Sequence, residues 1–287
     1  MIERRRVALE AYAYALAIAG CVAATPLPAS AQANSGRIAF NMGLDTSHAY
    51  FFRGIRQERD GVVLQPYADA TFTLLDGGDG LNSIGLTVGQ WNSFHSSGRG
   101  TTTGPHTWYE SDFFTGFTLG LENWEAGVSY TAYMSPSHSF GTVQEIGITL
   151  SLDDTGVTML PLLLHPHLAL AVEVNGQADG GASEGAYFEL GIEPGLDLAA
   201  GSLSLAVPLT LGMSLNNYYE DGGLINDTFG YLDLGLVLGM PLNVPESFGS
   251  WELTGGAHML LLGRYLESLN GGSQFQAIGS LGLSIGY

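Results

Sequence analysis

The side chains of this sequence best suited to chemistry are its carboxylates. Asp45, Asp69, Glu110, Asp112, Glu125, Glu145, Glu173, Glu189, Glu193, Asp233 and Glu252 all fall in or at the ends of segments where apolar and polar residues alternate. Alternation has the period of a β-strand, so each carboxylate belongs to the polar face of a strand. Basic residues at matching positions are nearly absent. Burying so many charges unpaired costs several kcal/mol apiece or forces protonation, so the expected solution is a water-lined interior. One-signed charge around such a space attracts cations and repels anions.

The arginines are grouped differently. Arg53, Arg56 and Arg59 lie in one polar stretch, Arg99 in the next and Arg264 in the last. They form a candidate basic mouth facing the acidic wall, or an anchor for lipopolysaccharide phosphates, or ion pairs with Glu58 and Asp60. Two histidines, His165 and His167, are spaced to share a strand face, and His48, His95, His106 and His138 fall in loops. His-Pro-His brings no further ligand at a fixed spacing, so no metal site is expected. Serines are many, but none sits in a diagnostic nucleophile motif, and the sequence gives no sign of an enzyme.

The elements that must carry these groups are strands of about ten residues. In Arg37–Asp45, Ile38, Phe40, Met42 and Leu44 share one face, and Ala39, Asn41, Gly43 and Asp45 the other. The pattern repeats in Leu64–Leu74, Ser83–Gln90, Tyr109–Leu121, Trp124–Met134, Glu145–Asp153, Leu162–Val174, Ala186–Gly195, Ser202–Leu215, Tyr231–Met240, Trp251–Leu261 and Gln274–Tyr287. These make about twelve strands, the even number a bacterial transmembrane barrel requires. Connections after odd strands are long and polar (47–61, 92–107, 135–142, 175–184, 216–228, 263–273). Those after even strands are mostly short, as at Glu122-Asn123, with 241–250 the longest. Long extracellular loops and short periplasmic turns place both termini in the periplasm.

Composition agrees. Only 13% of residues are charged, 41 are glycine, none is lysine, and net charge is −19. A nucleic-acid partner would require a basic stripe, which the chain lacks. A soluble β-sandwich would carry Lys, Arg and Glu on its outer face, whereas the polar face here is glycine, serine, threonine and isolated carboxylates. The inward glycines are expected to leave space in the lumen or to serve bends and closure. Trp124 and Trp251 open strands where an interfacial aromatic belt belongs. Tyr287 ends the last strand on its apolar face, as expected of a signal for the outer-membrane assembly machinery.

Residues 1–33 are expected to be a signal peptide, and 34–287 the barrel. Arg4, Arg5 and Arg6 form the basic region, an Ala/Leu-rich stretch follows, and Ala31-Gln32-Ala33 is a cleavage site. Ile18–Cys21 also fits a lipoprotein box that would acylate Cys21, but a spanning barrel needs no lipid anchor. Cys21 is the only cysteine, so the mature chain can form no internal disulfide.

Tyr50-Phe51-Phe52-Arg53-Gly54-Ile55-Arg56-Gln57 resembles the Y-x-F-R-G-x-x-Q signature of TorF-like porins, small proteobacterial outer-membrane proteins. Gln90-Trp91-Asn92-Ser93, Glu110-x-Asp112 with Gly116, and Tyr130–Pro136 resemble further segments of that family in order. The likeness covers residues 38–150. Thr46 stands one residue further from the tyrosine than the family pattern has it, and the stretch after Gln57 is unusually charged. The resemblance implies a porin or transporter and no particular substrate. The expectation is therefore a cation-preferring outer-membrane channel for small hydrophilic solutes, with outer-membrane lipid and lipopolysaccharide as surroundings and no cofactor. The alternatives are a non-conducting structural or adhesive barrel and a lipid-modifying enzyme. A plug would mark the second, and a hydrogen-bonded Ser/His or carboxylate constellation at a membrane interface the third.

Overall fold

A chain with one apolar and one polar face can satisfy its backbone inside a bilayer only if its sheet closes on itself. The computed structural model describes residues 36–287 apart from 60, 79, 98–106, 156–162, 199–201 and 223–224. The expected leader with Cys21, together with Arg99 and His106, lies outside the described residues. The strands are β1 (Ile38–Ser47), β2 (Tyr50–Phe52), β3 (Ile55–Glu58), β4 (Val63–Asp76), β5 (Ser83–His95), β6 (Trp108–Leu121), β7 (Trp124–Met134) and β8 (Val143–Leu152). They continue as β9 (His167–Asn175), β10 (Ala186–Ile192), β11 (Gly195–Leu198), β12 (Leu203–Ala206), β13 (Leu209–Asn216), β14 (Phe229–Leu242), β15 (Ser250–Leu262) and β16 (Phe275–Gly286).

All but β2 and β3 join one antiparallel sheet. β1 pairs with β16, Asn41 opposite Gly286, which closes the ring. The seam is sealed by Phe40 and Tyr287, whose amides each donate to the other's carbonyl at 2.8 Å. β10 and β11 are one barrel strand, as are β12 and β13. Their register runs through unchanged, Ile192 opposite Leu209 and Gly195 opposite Ala206. The interruptions fall at Pro194 and Pro208, which lack an amide donor. The barrel therefore has twelve strands, in the order the sequence pattern places them.

Outward positions such as Phe40, Leu44, Phe117, Ile148, Leu234 and Leu281 are exposed. They form the apolar girdle that lipid covers. Among the described residues no helix is long and apolar enough to cross a membrane.

Two expectations are corrected. The strand expected over Leu162–Val174 starts late, at His167, with residue 162 outside the described residues. Pro166 cannot extend the ladder with a donor, and Asp154 captures the amides of Leu164 and His165 at 2.9 and 3.1 Å. Burial pushes the Asp154 carboxyl up, but those amide bonds and nearby His165 outweigh it and hold it below its usual value. The inward glycines, too, leave less space than expected. The Tyr67 ring lies over Gly43, Tyr231 over Gly212 and His167 over Gly191, each closely enough to collide with an added Cβ.

Candidate functional site

The first long loop does not stay outside the barrel. β2 and β3 form a hairpin turned at Arg53 (φ 47°) and Gly54 (φ 78°), both left-handed, as a two-residue type I′ connection needs. The tip is wedged inward: a Cβ on Gly54 would lie 2.6 Å from Leu266 Cδ1. Ile55 packs in one buried cluster with Tyr187, Tyr218, Tyr219, Tyr231 and Leu262. The last long loop meets it through α1 (Arg264–Leu269), whose Tyr265 and Leu266 belong to the same cluster. Asn270 fastens the two loops. Its Nδ2 donates to the Gly54 carbonyl at 3.0 Å, and it accepts from the Arg56 amide and guanidinium at 3.2 and 3.0 Å. The extracellular end of the lumen is thus filled by its own loops.

Arg53 is the centre of this plug. Its guanidinium donates to Glu145 Oε1 at 2.7 Å and to the Tyr218 hydroxyl at 2.5 Å. It also lies 4.3, 4.9 and 5.2 Å from the ring centroids of Tyr187, Phe52 and Tyr218. A planar cation can stack on rings while its edge bonds a carboxylate, which an ammonium cannot do.

This corrects the arginine mouth. Arg53 is buried inside the lumen, Arg56 is half-buried against Asn270, and Arg264 points outward to Asp227 at 3.0 Å. Arg59 is exposed, and its amide donates to Glu58. The first and last loops are neighbours, as a closed ring demands, with Arg53 turned into the lumen and Arg264 toward Asp227.

The carboxylates lie on the inward side, and most have donors, so their number alone does not require water. Asp69 accepts from Asn41 Nδ2 at 3.1 Å, and Glu173 from the amides of Ala178 and Gly185, each at 2.6 Å. Glu189 accepts from the Tyr187 hydroxyl at 2.6 Å, and Glu145 from Tyr133 at 2.9 Å as well as from Arg53. Asp233 meets His258 Nδ1 at 3.0 Å. His258 is a partner that the sequence reading missed, although its even position on β15 beside Glu252 and Thr254 marks it as inward. Glu110 and Asp112 are buried with one oxygen each, Oε2 and Oδ1, accepting no hydrogen bond from any described residue.

The two sides of the lumen differ. On β5, β6 and β8 the outer-end inward residues Ser93, His95, Glu110, Asp112 and Glu145 are buried. On β1, inward Ala39, Asn41, Gly43, Asp45 and Ser47 are all half-exposed, as are Gln65, Tyr67 and Asp69 on β4, Glu252 and Thr254 on β15, and Ser280 and Ser284 on β16. These partly exposed polar positions form an acid-bearing track along the β1–β16 seam, although the plug cluster also packs on Leu260 and Leu262 of β15 and Ile278 of β16. Glu125 and Glu193 are half-buried.

The histidine expectation is also corrected. His165 precedes β9 in a left-handed conformation (φ 45°), 3.8 Å from Asp154, whereas His167 lies on β9, 4.0 Å from Glu189. They share no strand face. Among the described residues no group of three or more His, Cys, Asp or Glu side chains is arranged to hold a metal. One serine does meet a histidine: Ser93 Oγ lies 3.0 Å from His95 Nε2, and His95 Nδ1 lies 3.7 Å from Glu58 Oε2. All three side chains are buried and face the lumen, with the His95 ring stacked on Tyr109 at 4.2 Å.

A closed antiparallel ring, an apolar girdle, short turns at one end and long loops at the other define a bacterial outer-membrane β-barrel. No family model matches the chain, and neither does any curated relative. Among solved structures it is similar to the NanC porin, with a TM-score of 0.46 and 12% identity over 85% of this chain and 98% of that one. It is also similar to an outer membrane channel from Pseudomonas putida F1 (TM-score 0.45, 10% identity, 87% and 95% covered). A third likeness is to the translocator domain of the autotransporter NalP from Neisseria meningitidis (TM-score 0.44, 13% identity, 90% of each chain).

Proposed function

We propose that the protein is a porin-like channel through which small hydrophilic solutes pass passively, with a preference for cations. The observation that carries this reading is the half-exposed polar track along β1, β4, β15 and β16, which bears Asp45, Asp69 and Glu252. Among the described residues, the arginine buried inside, Arg53, is paired with Glu145 and offers the track no positive charge. The resemblance of Tyr50–Gln57 to the TorF-like porins agrees with this reading. Selectivity then resides on the β1–β4 wall rather than at Glu110 and Asp112, which the plug covers.

The test is planar-bilayer conductance of refolded residues 34–287 under a salt gradient. The expected result is a cation-selective reversal potential that shrinks as salt rises, since screening shortens each charge's reach to about 10 Å at 0.1 M. Asp45→Asn with Asp69→Asn should lower the selectivity and keep the barrel folded, because neither change places a charge in lipid. Anion preference would overturn the assignment of the track. The plug itself favours a second reading, a non-conducting structural barrel, and silence from correctly folded protein would select it.

A further inference from the structure

Glu110 and Asp112 stand apart from the other inward carboxyl groups. Two residues apart on β6, they project from the same face, with Cα atoms separated by about 6.6 Å at the usual rise of a strand. Both are nearly fully buried, at 4% and 2% exposure. The hydroxyl of Tyr50, on the first arm of the hairpin, donates to Glu110. Glu110 Oε2 and Asp112 Oδ1 accept nothing from any described residue. Glu145, by contrast, has Arg53 and Tyr133, and Glu173 has two backbone amides.

We propose that Glu110 and Asp112 are a proton latch for the plug: neutral acids under the docked hairpin, they lose their protons to water when it lifts, so the plug closes in acid and opens as pH rises. A carboxylate taken out of water without donors or a cation is far costlier to bury than the neutral acid. The facing groups supply no such cation. β7 brings Tyr133, the Cα partner of Asp112, and β6 itself Tyr109. β8 brings Glu145, a third carboxylate, with Arg53 already bonded to it. The hairpin brings Tyr50 and Glu58, and β5 brings His95, whose Nδ1 lies 3.7 Å from Glu58. Once the hairpin lifts, both carboxyls meet water, where such groups ionise above about pH 4. A proton held only in the docked state stabilises that state in acid, and the stabilisation fades as pH rises. Each proton released on opening shifts the equilibrium toward the open state by about tenfold per pH unit. Nothing in this requires that the barrel conduct.

A thiol at the hairpin tip supplies the readout. Residues 34–287 contain no cysteine, and Ile55, in the buried cluster, takes one as Ile55→Cys. Its maleimide labelling in the refolded barrel reports opening, and the exposed Ser183→Cys, measured at the same pH, corrects for ionisation of the thiol. The corrected rate should rise at least tenfold between about pH 5 and pH 8, above the ordinary carboxyl range. Glu110→Gln with Asp112→Asn keeps both groups neutral at every pH and should stay slow throughout. His95→Gln should keep the rise, because the imidazole, which could tighten on Glu58 in acid, is the rival switch. Heat-modifiable migration on gels verifies that each variant is folded at each pH. A flat profile in the parent, a rise that survives the double substitution, a double variant that labels fast at all pH, or a rise abolished by His95→Gln would each overturn the latch. A barrel that shows the rise and never conducts refutes the channel alone, and one that conducts without the rise refutes the latch alone.

Discussion

Replacing Arg53 by alanine should release the plug. The substitution removes the 2.7 Å ion pair to Glu145, the 2.5 Å bond to Tyr218 and the guanidinium seated over three rings. It leaves a carboxylate of 3% side-chain exposure with Tyr133 and a long 3.5 Å contact to Tyr218 as its donors. Breaking a buried pair by removing one partner costs about 3–5 kcal/mol, most of it the charge left behind. At 1.4 kcal/mol per factor of ten, about 4 kcal/mol shifts the docking equilibrium of the hairpin nearly a thousandfold.

Labelling chemistry can read that shift. Cys21 is the only cysteine, so refolded residues 34–287 contain none. Ile55→Cys therefore places a single thiol in the buried cluster at the hairpin tip. Its maleimide labelling rate in the folded barrel should rise by two to three orders of magnitude when Arg53→Ala is added, in line with about 3–5 kcal/mol. Adding Glu145→Gln as well removes the stranded charge and should recover most of the closed state. If the charge pair holds the plug, the single variant must open and the double must largely close again. Equal labelling with and without Arg53 would refute the reasoning. Equal opening in the single and double variants would assign the effect to lost bulk instead.

Three further outcomes are expected. A tag inserted at Gly180 should be reached by antibody on intact cells and one at Asn123 should not; the reverse would invert the barrel. Deleting Tyr287 removes the terminal aromatic and the two 2.8 Å bonds to Phe40 at the seam. It should cause periplasmic accumulation with little heat-modifiable barrel, measured by fractionation. Gly212→Ala should cost about 1–3 kcal/mol in thermal unfolding by overpacking, because the Tyr231 ring occupies the space of the new Cβ. An unchanged melting temperature would mean that the ring moves freely.

Strand number, order and facing were legible because alternation is written residue by residue, and a closed ring leaves little freedom once the faces are set. The plug was not, because its contacts join residues far apart in sequence: Arg53 with Glu145 and Tyr218, Gly54 with Asn270. A local signal did exist. Arg53-Gly54 between Tyr50-Phe51-Phe52 and Ile55 has the form of a tight hairpin, with glycine at the second left-handed position. The signal is weak because only burial against Leu266 and Tyr231 makes so short a hairpin stable. The late start of β9 has a similar cause: apolar Leu163 and Leu164 continue the pattern, and Pro166 and Asp154 end it.

The same contrast decides where charge acts in the lumen. A carboxylate paired with a guanidinium has its charge offset at close range, as for Glu145 with Arg53. On the channel reading, the field over the lumen then comes from inward carboxylates such as Asp45 and Asp69. Opening the plug would expose Glu145 without its arginine and add negative charge to the path. Cation selectivity in the Arg53→Ala channel should therefore rise with conductance, whereas a plug that acts as a steric stopper alone would raise conductance and leave selectivity where it was.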